Sequence, residues 1–182
     1  MIISKVVFTI ARRRILWLLI LVLANGLTTK VIAMNDQILR EIVLLAAFIP
    51  LLIGTGGNVG AQSSTVVIRG LSTQKIKSLG AIKAVVREAI TGALLGVLMM
   101  LVVFPFAWWQ GGGPLIAFAV GISLISITTL AATTGAILPL LFDKMRLDPA
   151  LMSSPFITTV TDIAGVFIYL STAKWLLNSS LI

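Results

Sequence analysis

Long apolar stretches separated by short polar connections run through the whole chain. Five stretches reach the ~20 residues that a helix needs to cross a hydrocarbon core. They cover residues 15–34, 42–68, 89–109, 115–142 and 153–177. Residues 1–14 mix basic and apolar side chains, but Arg12, Arg13 and Arg14 come after the first apolar residues and no small-residue cleavage site follows 15–23. This segment is therefore expected to be a retained amphipathic lead-in on the cytoplasmic face and not a signal peptide. The pattern predicts an all-α integral membrane protein with five transmembrane helices, residues 15–182 forming one membrane domain.

Two of the five spans break the apolar pattern. The second is apolar over 42–53 and then reads Gly-Thr-Gly-Gly-Asn-Val-Gly-Ala-Gln-Ser-Ser-Thr from Gly54 to Thr65. At helical spacing Thr55, Asn58, Gln62, Thr65 and Arg69 form a polar stripe, with Gly54, Gly57 and Ala61 beside it. Small residues at this density suit a tight helix–helix seam. They equally suit a water-filled path in which carbonyl and amide oxygens meet a hard cation. In the fifth span Asp162 is the sole acid within 153–174. A carboxylate at bilayer depth costs about 3 kcal/mol or more unless it faces water, a cation or a partner. Leu151, Pro155, Thr158, Asp162, Gly165 and Tyr169 share its face by steps of three and four, and no Lys or Arg lies in the interior of any span to pair with it, Lys30 and Lys174 falling near span ends. Ser123, Ser126, Thr129 and Thr133 form a milder stripe on the fourth span, where hydroxyls commonly bond back to their own helix or across to a neighbour. Arg87 and Glu88 are expected to cap the start of the third span. Asp143 and Asp148 are expected to be solvated loop charges, able also to concentrate cations at an inner mouth.

Composition agrees with the pattern. Of the residues 58% are hydrophobic and 11% charged, and the mean hydropathy is +1.10; a soluble domain carries about 25% charged residues. With neither cysteine nor histidine, disulfides, thiolate chemistry and Cys/His zinc sites are excluded. No nucleophile–base set suggests an enzyme, and no Walker motif suggests ATP hydrolysis. The net charge of +8 lies at the flanks of the spans and does not form a nucleic-acid surface. Lys5, Arg12, Arg13, Arg14, Arg69, Lys75, Lys77, Lys83, Arg87, Lys144 and Arg146 fall on one side, against Lys30, Arg40 and Lys174 on the other. The richer side should be cytoplasmic, with the N-terminus in and the C-terminus out. The uncharged outer turn 110–114 is flanked by Trp108 and Trp109, suited to an interfacial aromatic belt.

The segments PLLIGTGGNVGAQSSTVVIRG (50–70) and LDPALMSSPFITTVTDIAGVFIY (147–169) resemble the MgtE family of magnesium channels, in order and in separation. The resemblance covers the family's transmembrane domain and implies a homodimeric bundle in the cell membrane of a bacterium or archaeon. Its pore would lie between subunits, lined by the second and fifth spans. It implies a metal path with Asp162 as the pore aspartate, the carbonyls of Gly54, Gly57 and Thr158 nearby, and Asn58 and Thr65 within the second-span motif. Ala61 and Ser154 depart from the Asn, or the Asn or Gly, that some members carry there, which argues against further cation contacts nearer the cytoplasm. The family's regulatory cytoplasmic domains are not expected in this chain, whether it is a short homologue or a piece of a longer protein.

These residue types suit magnesium as cargo. The ion dehydrates reluctantly, so oxygen acceptors that grip its water shell pass it faster than ligands that strip it. A twofold dimer repeats each residue across its axis, setting two Asp162 carboxylates against one divalent ion. An inside-negative potential supplies about 4.6 kcal/mol per 100 mV to a divalent cation, twice the unit-charge value. Manganese, cobalt and calcium stay open as further cargo. A carrier coupled to sodium or protons and a non-transporting membrane scaffold are the alternatives to a channel, and the absence of an evident internal repeat favours the channel over the carrier.

Overall fold

The computed structural model describes residues 2–74, 76 and 79–179. Lys75 and Lys77, two of the residues used for orientation, lie outside these, as do the side chains of Lys5, Arg13, Arg14, Leu151, Ser153 and Ser154. The described residues form helices and turns, with no strand among them. Three helical stretches are long and apolar enough to cross a membrane: Val43–Ser72, Ala81–Lys144 and Pro155–Leu177.

The first helix, α1 (Ile2–Ala33), runs unbroken through both the expected lead-in and the first expected span. Its stretch Leu18–Ala33 is apolar, and it rests chiefly on the last helix, with Val31 and Ile32 touching the core. A six-residue helix, α2 (Asp36–Glu41), links it to α3 (Val43–Ser72). Arg40 Nη2 lies 2.7 Å from Asp36 Oδ2 on the exposed side of α2, one turn apart. The sequence pattern did not anticipate α2, because six residues are too few to show a period.

The stretch Ala81–Lys144 is not one rod. It divides into α4 (Ala81–Ala107) and α5 (Gly113–Lys144) at a turn through Trp108–Gly112. Gly111 (φ 90°) and Gly113 (φ 62°) take left-handed backbone there, which a side chain would strain. The two helices lie antiparallel. Gly92 faces Thr128 and Ala132, Gly96 faces Ile125 and Thr128, and Gly121 faces Met100. Near the turn the rings of Phe104 and Phe118 meet edge-on at 4.8 Å. On its other side α4 exposes Ile90, Leu94, Leu98, Leu101 and Val102, an apolar face suited to lipid.

The expectation that Arg87 and Glu88 cap the start of this span is corrected. The helix begins at Ala81, and Glu88 lies two turns inside it, 5% exposed, its Oε1 accepting from Arg87 Nη2 (2.9 Å) and Nε (3.2 Å). Lys83 and Arg87 lower the hydropathy of those first turns and hid them from an apolar scan.

Helices α3 and α5 run parallel, which requires a crossing connection, and α4 provides it. Their backbones touch. A Cβ on Gly60 would lie 3.2 Å from the Ala131 carbonyl, and one on Gly135 would collide with the Gly60 carbonyl. The last helix, α6 (Pro149–Ser179), lies antiparallel to both. Its Ile157 and Thr161 press on Gly60 and Gly56, and Gly165 meets Ile127 of α5. Leu45, Phe48, Leu52, Leu124, Ile127 and Val166 form the centre of the core. At one end of the seam the buried Tyr169 hydroxyl donates to the Leu45 carbonyl at 3.1 Å.

The hydroxyl stripe on α5 behaves largely as expected. Ser126, Thr129 and Thr133 donate to the carbonyls of Ile122, Ile125 and Thr129 at 3.1, 2.6 and 2.7 Å. Ser123 is fully buried and its hydroxyl has no partner among the described residues.

Gly135→Ala should destabilise the fold by about 1–3 kcal/mol, the usual cost of forcing bulk into a packed seam. Gly26→Ala, with nothing within 4 Å, should cost nothing; thermal unfolding in detergent compares them. Tyr169→Phe should cost about 1 kcal/mol, the net worth of one hydrogen bond, read from the same melts.

Candidate ion path on α3 and α6

The glycine-rich stretch of α3 divides between two faces. Gly56, Val59, Gly60, Ser63, Ser64 and Val67 are buried against α5 and α6. Gly54, Asn58, Gln62, Thr65 and Arg69 are exposed on this chain, and Thr55 is half-buried. The small residues that close the seam and the polar residues of the stripe therefore fall on different faces of α3. A helix turns about 100° per residue, so a face that seats Gly56 and Gly60 inward must turn Gly54 and Asn58 away.

Asp162 lies near the middle of α6, half-buried. Among the described residues it has neither an ion pair nor a hydrogen bond. The register between α3 and α6 fixes its level. Gly56 faces Thr161, Gly57 faces Thr158 and Gly60 faces Ile157, so Asp162 stands level with Gly54 and Thr158 level with Gly57 and Asn58. A Cβ on Gly54 would meet nothing within 4 Å, and one on Gly57 would meet only Thr158 Cγ2, at 3.7 Å. The space beside Asp162 is thus open where the seam two residues on is closed.

Of the predicted residues, Gly57 and Thr158 meet, and Asp162 stands about level with Gly54, and Thr158 with Asn58, by the α3–α6 register. Thr65 does not join them. It lies seven residues beyond Asn58, about 10 Å along the axis at 1.5 Å per residue, and its hydroxyl donates back to the Ala61 carbonyl at 2.9 Å. The Thr158 hydroxyl donates to the Pro155 carbonyl at 3.0 Å. The face drawn through Asp162 in sequence is only partly a surface: Pro155, Thr158 and Asp162 are half-buried, whereas Gly165 and Tyr169 are buried inside this chain.

Sequence reasoning passed over Thr161. It is fully buried between α3 and α5, with a hydroxyl that has no partner among the described residues. Its adjacency to Asp162 was visible, but its direction was not, because nothing in the sequence says which flank of α6 meets Gly56.

Chemically, one chain offers one carboxylate with amide, hydroxyl and carbonyl oxygens around it. No group of three or more acidic, His or Cys side chains occurs among the described residues. Such a site cannot strip and cage a divalent ion by itself. It can accept hydrogen bonds from an ion's water shell and balance part of its charge.

Long apolar helices with a polar strip on one exposed face define a multi-pass helical membrane protein. A family model described as a divalent cation transporter, MgtE, matches residues 49–172, which takes in α3 from before its glycine run and α6 beyond Tyr169. The chain belongs to the MgtE family. It is 37% identical over 166 residues to a magnesium transporter MgtE of Thermus thermophilus, covering 91% of this chain and 37% of that protein. It is 34% identical over 173 residues to the Bacillus subtilis magnesium transporter MgtE, covering 94% of this chain and 38% of the relative. A third, from Enterococcus faecalis, is 35% identical over 168 residues, with 90% and 36% covered. The chain thus spans just over a third of the length of these relatives.

Removing the Asp162 charge should relieve the bare protein. Asp162→Asn is expected to melt higher than wild type in chelating buffer, because the unpaired carboxylate no longer has to be kept solvated. Equal or lower melting would mean that the carboxylate already has a stabilising partner.

Proposed function

We propose that this chain forms a magnesium channel of the cell membrane, working as a homodimer whose pore is lined by α3 and α6 of both copies. One observation carries the reading: Gly54, Asn58, Gln62 and Thr65 stand on the outside of a single chain, at the depth where lipid would otherwise lie. Lipid cannot satisfy the side-chain amides of Asn58 and Gln62, so such a face must meet water or protein. A second copy related by a twofold axis covers it and sets the two Asp162 carboxylates across the axis. The named function of the relatives, magnesium transport, supports the choice of ion.

In this mechanism the cargo enters with its water shell. Paired Asp162 carboxylates match the double charge, while a monovalent ion leaves one of them uncompensated. The carbonyls near Gly54 and Gly57 and the Asn58 amide accept from the ion's waters, and the lack of a Cβ at Gly54 and Gly57 leaves room for the shell. The membrane potential supplies the drive, so no hydrolysis step is needed. Five spans with the N-terminus inside complete the arrangement. Manganese, cobalt and calcium share the ligand preference for oxygen in part, and a cation series ranks them.

Purified protein in liposomes tests the reading. Asp162→Ala should abolish magnesium uptake while the dimer survives size-exclusion chromatography. Gly57→Leu should lower flux at least tenfold, since the new side chain fills the space beside Thr158 without a clash at its Cβ. Wild-type flux from either variant removes α3 and α6 as the pore wall. Uptake that requires an imposed sodium or proton gradient, and not merely a potential, assigns a coupled carrier instead.

A further inference from the structure

Where α3 ends and α4 begins, a cavity of about 220 Å³ opens at the edge of the apolar bundle. Val66, Ile76 and Leu79 form its apolar wall, and Arg69, Thr73 and Arg87 bring polar groups to it. A water needs only ~10–15 Å³ of such space, so the cavity has room for a much larger group. Its wall is built and not incidental: Ile76 is 5% exposed and packs so closely on Gly70 that a Cβ there would lie 2.8 Å from it.

The two arginines differ in what they have left to give. Arg87 commits Nε and Nη2 to Glu88, which leaves its Nη1 hydrogens for another acceptor. Arg69 has no acidic partner among the described residues. Its carbonyl accepts from the Thr73 hydroxyl at 2.9 Å, tying the backbone that carries it. Arg69 also stands in the last turn of α3, where a cation favours the helix dipole, and that alone would need no cavity. Three charges meet here, two positive and one negative, so the pocket keeps a net positive charge beside an apolar wall.

We propose that this cavity binds the phosphate of an anionic phospholipid, with Arg69 as the principal contact and Arg87 as the second. Guanidinium groups bind phosphate oxygens through paired N–H donors. The apolar wall suits the glycerol and upper acyl chain, which a free inorganic phosphate lacks. The end of an apolar helix is the depth at which lipid headgroups lie, and basic pockets between such helices on the cytoplasmic side suit them. The assignment rests on the membrane reading of the chain but not on ion conduction, so a failed flux assay leaves it standing.

The test uses purified protein in a neutral detergent, titrated with phosphatidylglycerol, phosphatidylcholine or inorganic phosphate. Bound lipid is read by native mass spectrometry and protection by thermal melts. Wild type should retain phosphatidylglycerol in preference to phosphatidylcholine. Arg69→Gln should weaken that retention about fivefold, the effect of one basic residue at an anionic surface. The double variant Arg87→Gln/Glu88→Gln, which removes a buried acid together with its partner, should weaken it less. Arg40→Gln, on α2 beyond the other end of α3, should leave it unchanged. Equal retention of the two lipids, or retention unaffected by Arg69→Gln, overturns the proposal. Protection by inorganic phosphate that equals the lipid's also overturns it, assigning a soluble anion in place of a membrane one.

Discussion

At Gly60 and Gly135 the backbones of α3 and α5 touch with no side chain between them, and much of the remaining structure depends on that contact. Small residues allow such approach inside a membrane, where apolar side chains gain little from leaving lipid. Once Gly56 and Gly60 are fixed inward, helical rotation leaves Gly54, Asn58, Gln62 and Thr65 no inward position. The same glycines also set the register of α6, because Ile157 and Thr161 seat in the gaps they leave. That register raises Asp162 to the level of Gly54. A packing contact between apolar surfaces thus places a carboxylate.

The polar strip that results has two halves from different helices and neither is complete alone. Asp162 has no partner in its own chain among the described residues, and the α3 amides face away from the core. A buried pair with Arg or Lys would have neutralised the acid and removed its pull on a cation. Leaving it unpaired costs stability in the bare protein. Polar groups held unsatisfied in the resting protein are a common form of strain at functional sites.

The α4–α5 hairpin has a different part. By crossing between parallel neighbours it allows α3 and α5 to lie side by side, and its outer face is apolar throughout its middle. Its first two turns, though, carry Lys83, Arg87 and the buried Glu88. They end the apolar bundle in charge, next to the last turn of α3. The proposed headgroup contact at Arg69 and the proposed path beside Gly54 and Gly57 would then use different stretches of one helix, α3.

The helices α3, α4, α5 and α6 overlap the apolar stretches 42–68, 89–109, 115–142 and 153–177, because hydropathy over ~20 residues is a property of the chain itself. The prominence of Asp162, the unusual run 54–65 and the absence of any Cys or His ligand are likewise legible in the sequence. What the sequence could not supply was direction. Period 3.6 groups residues on a face but does not say what that face meets, so Gly56 and Gly57 looked alike although one closes a seam and the other opens on a space. Tyr169 shared a face with Asp162 in sequence, yet it is buried and bonded to Leu45. Glu88 read as a surface cap until the start of α4 at Ala81 put it inside. Each of these outcomes was decided by contacts between residues far apart in the chain, which only the packed helices bring together.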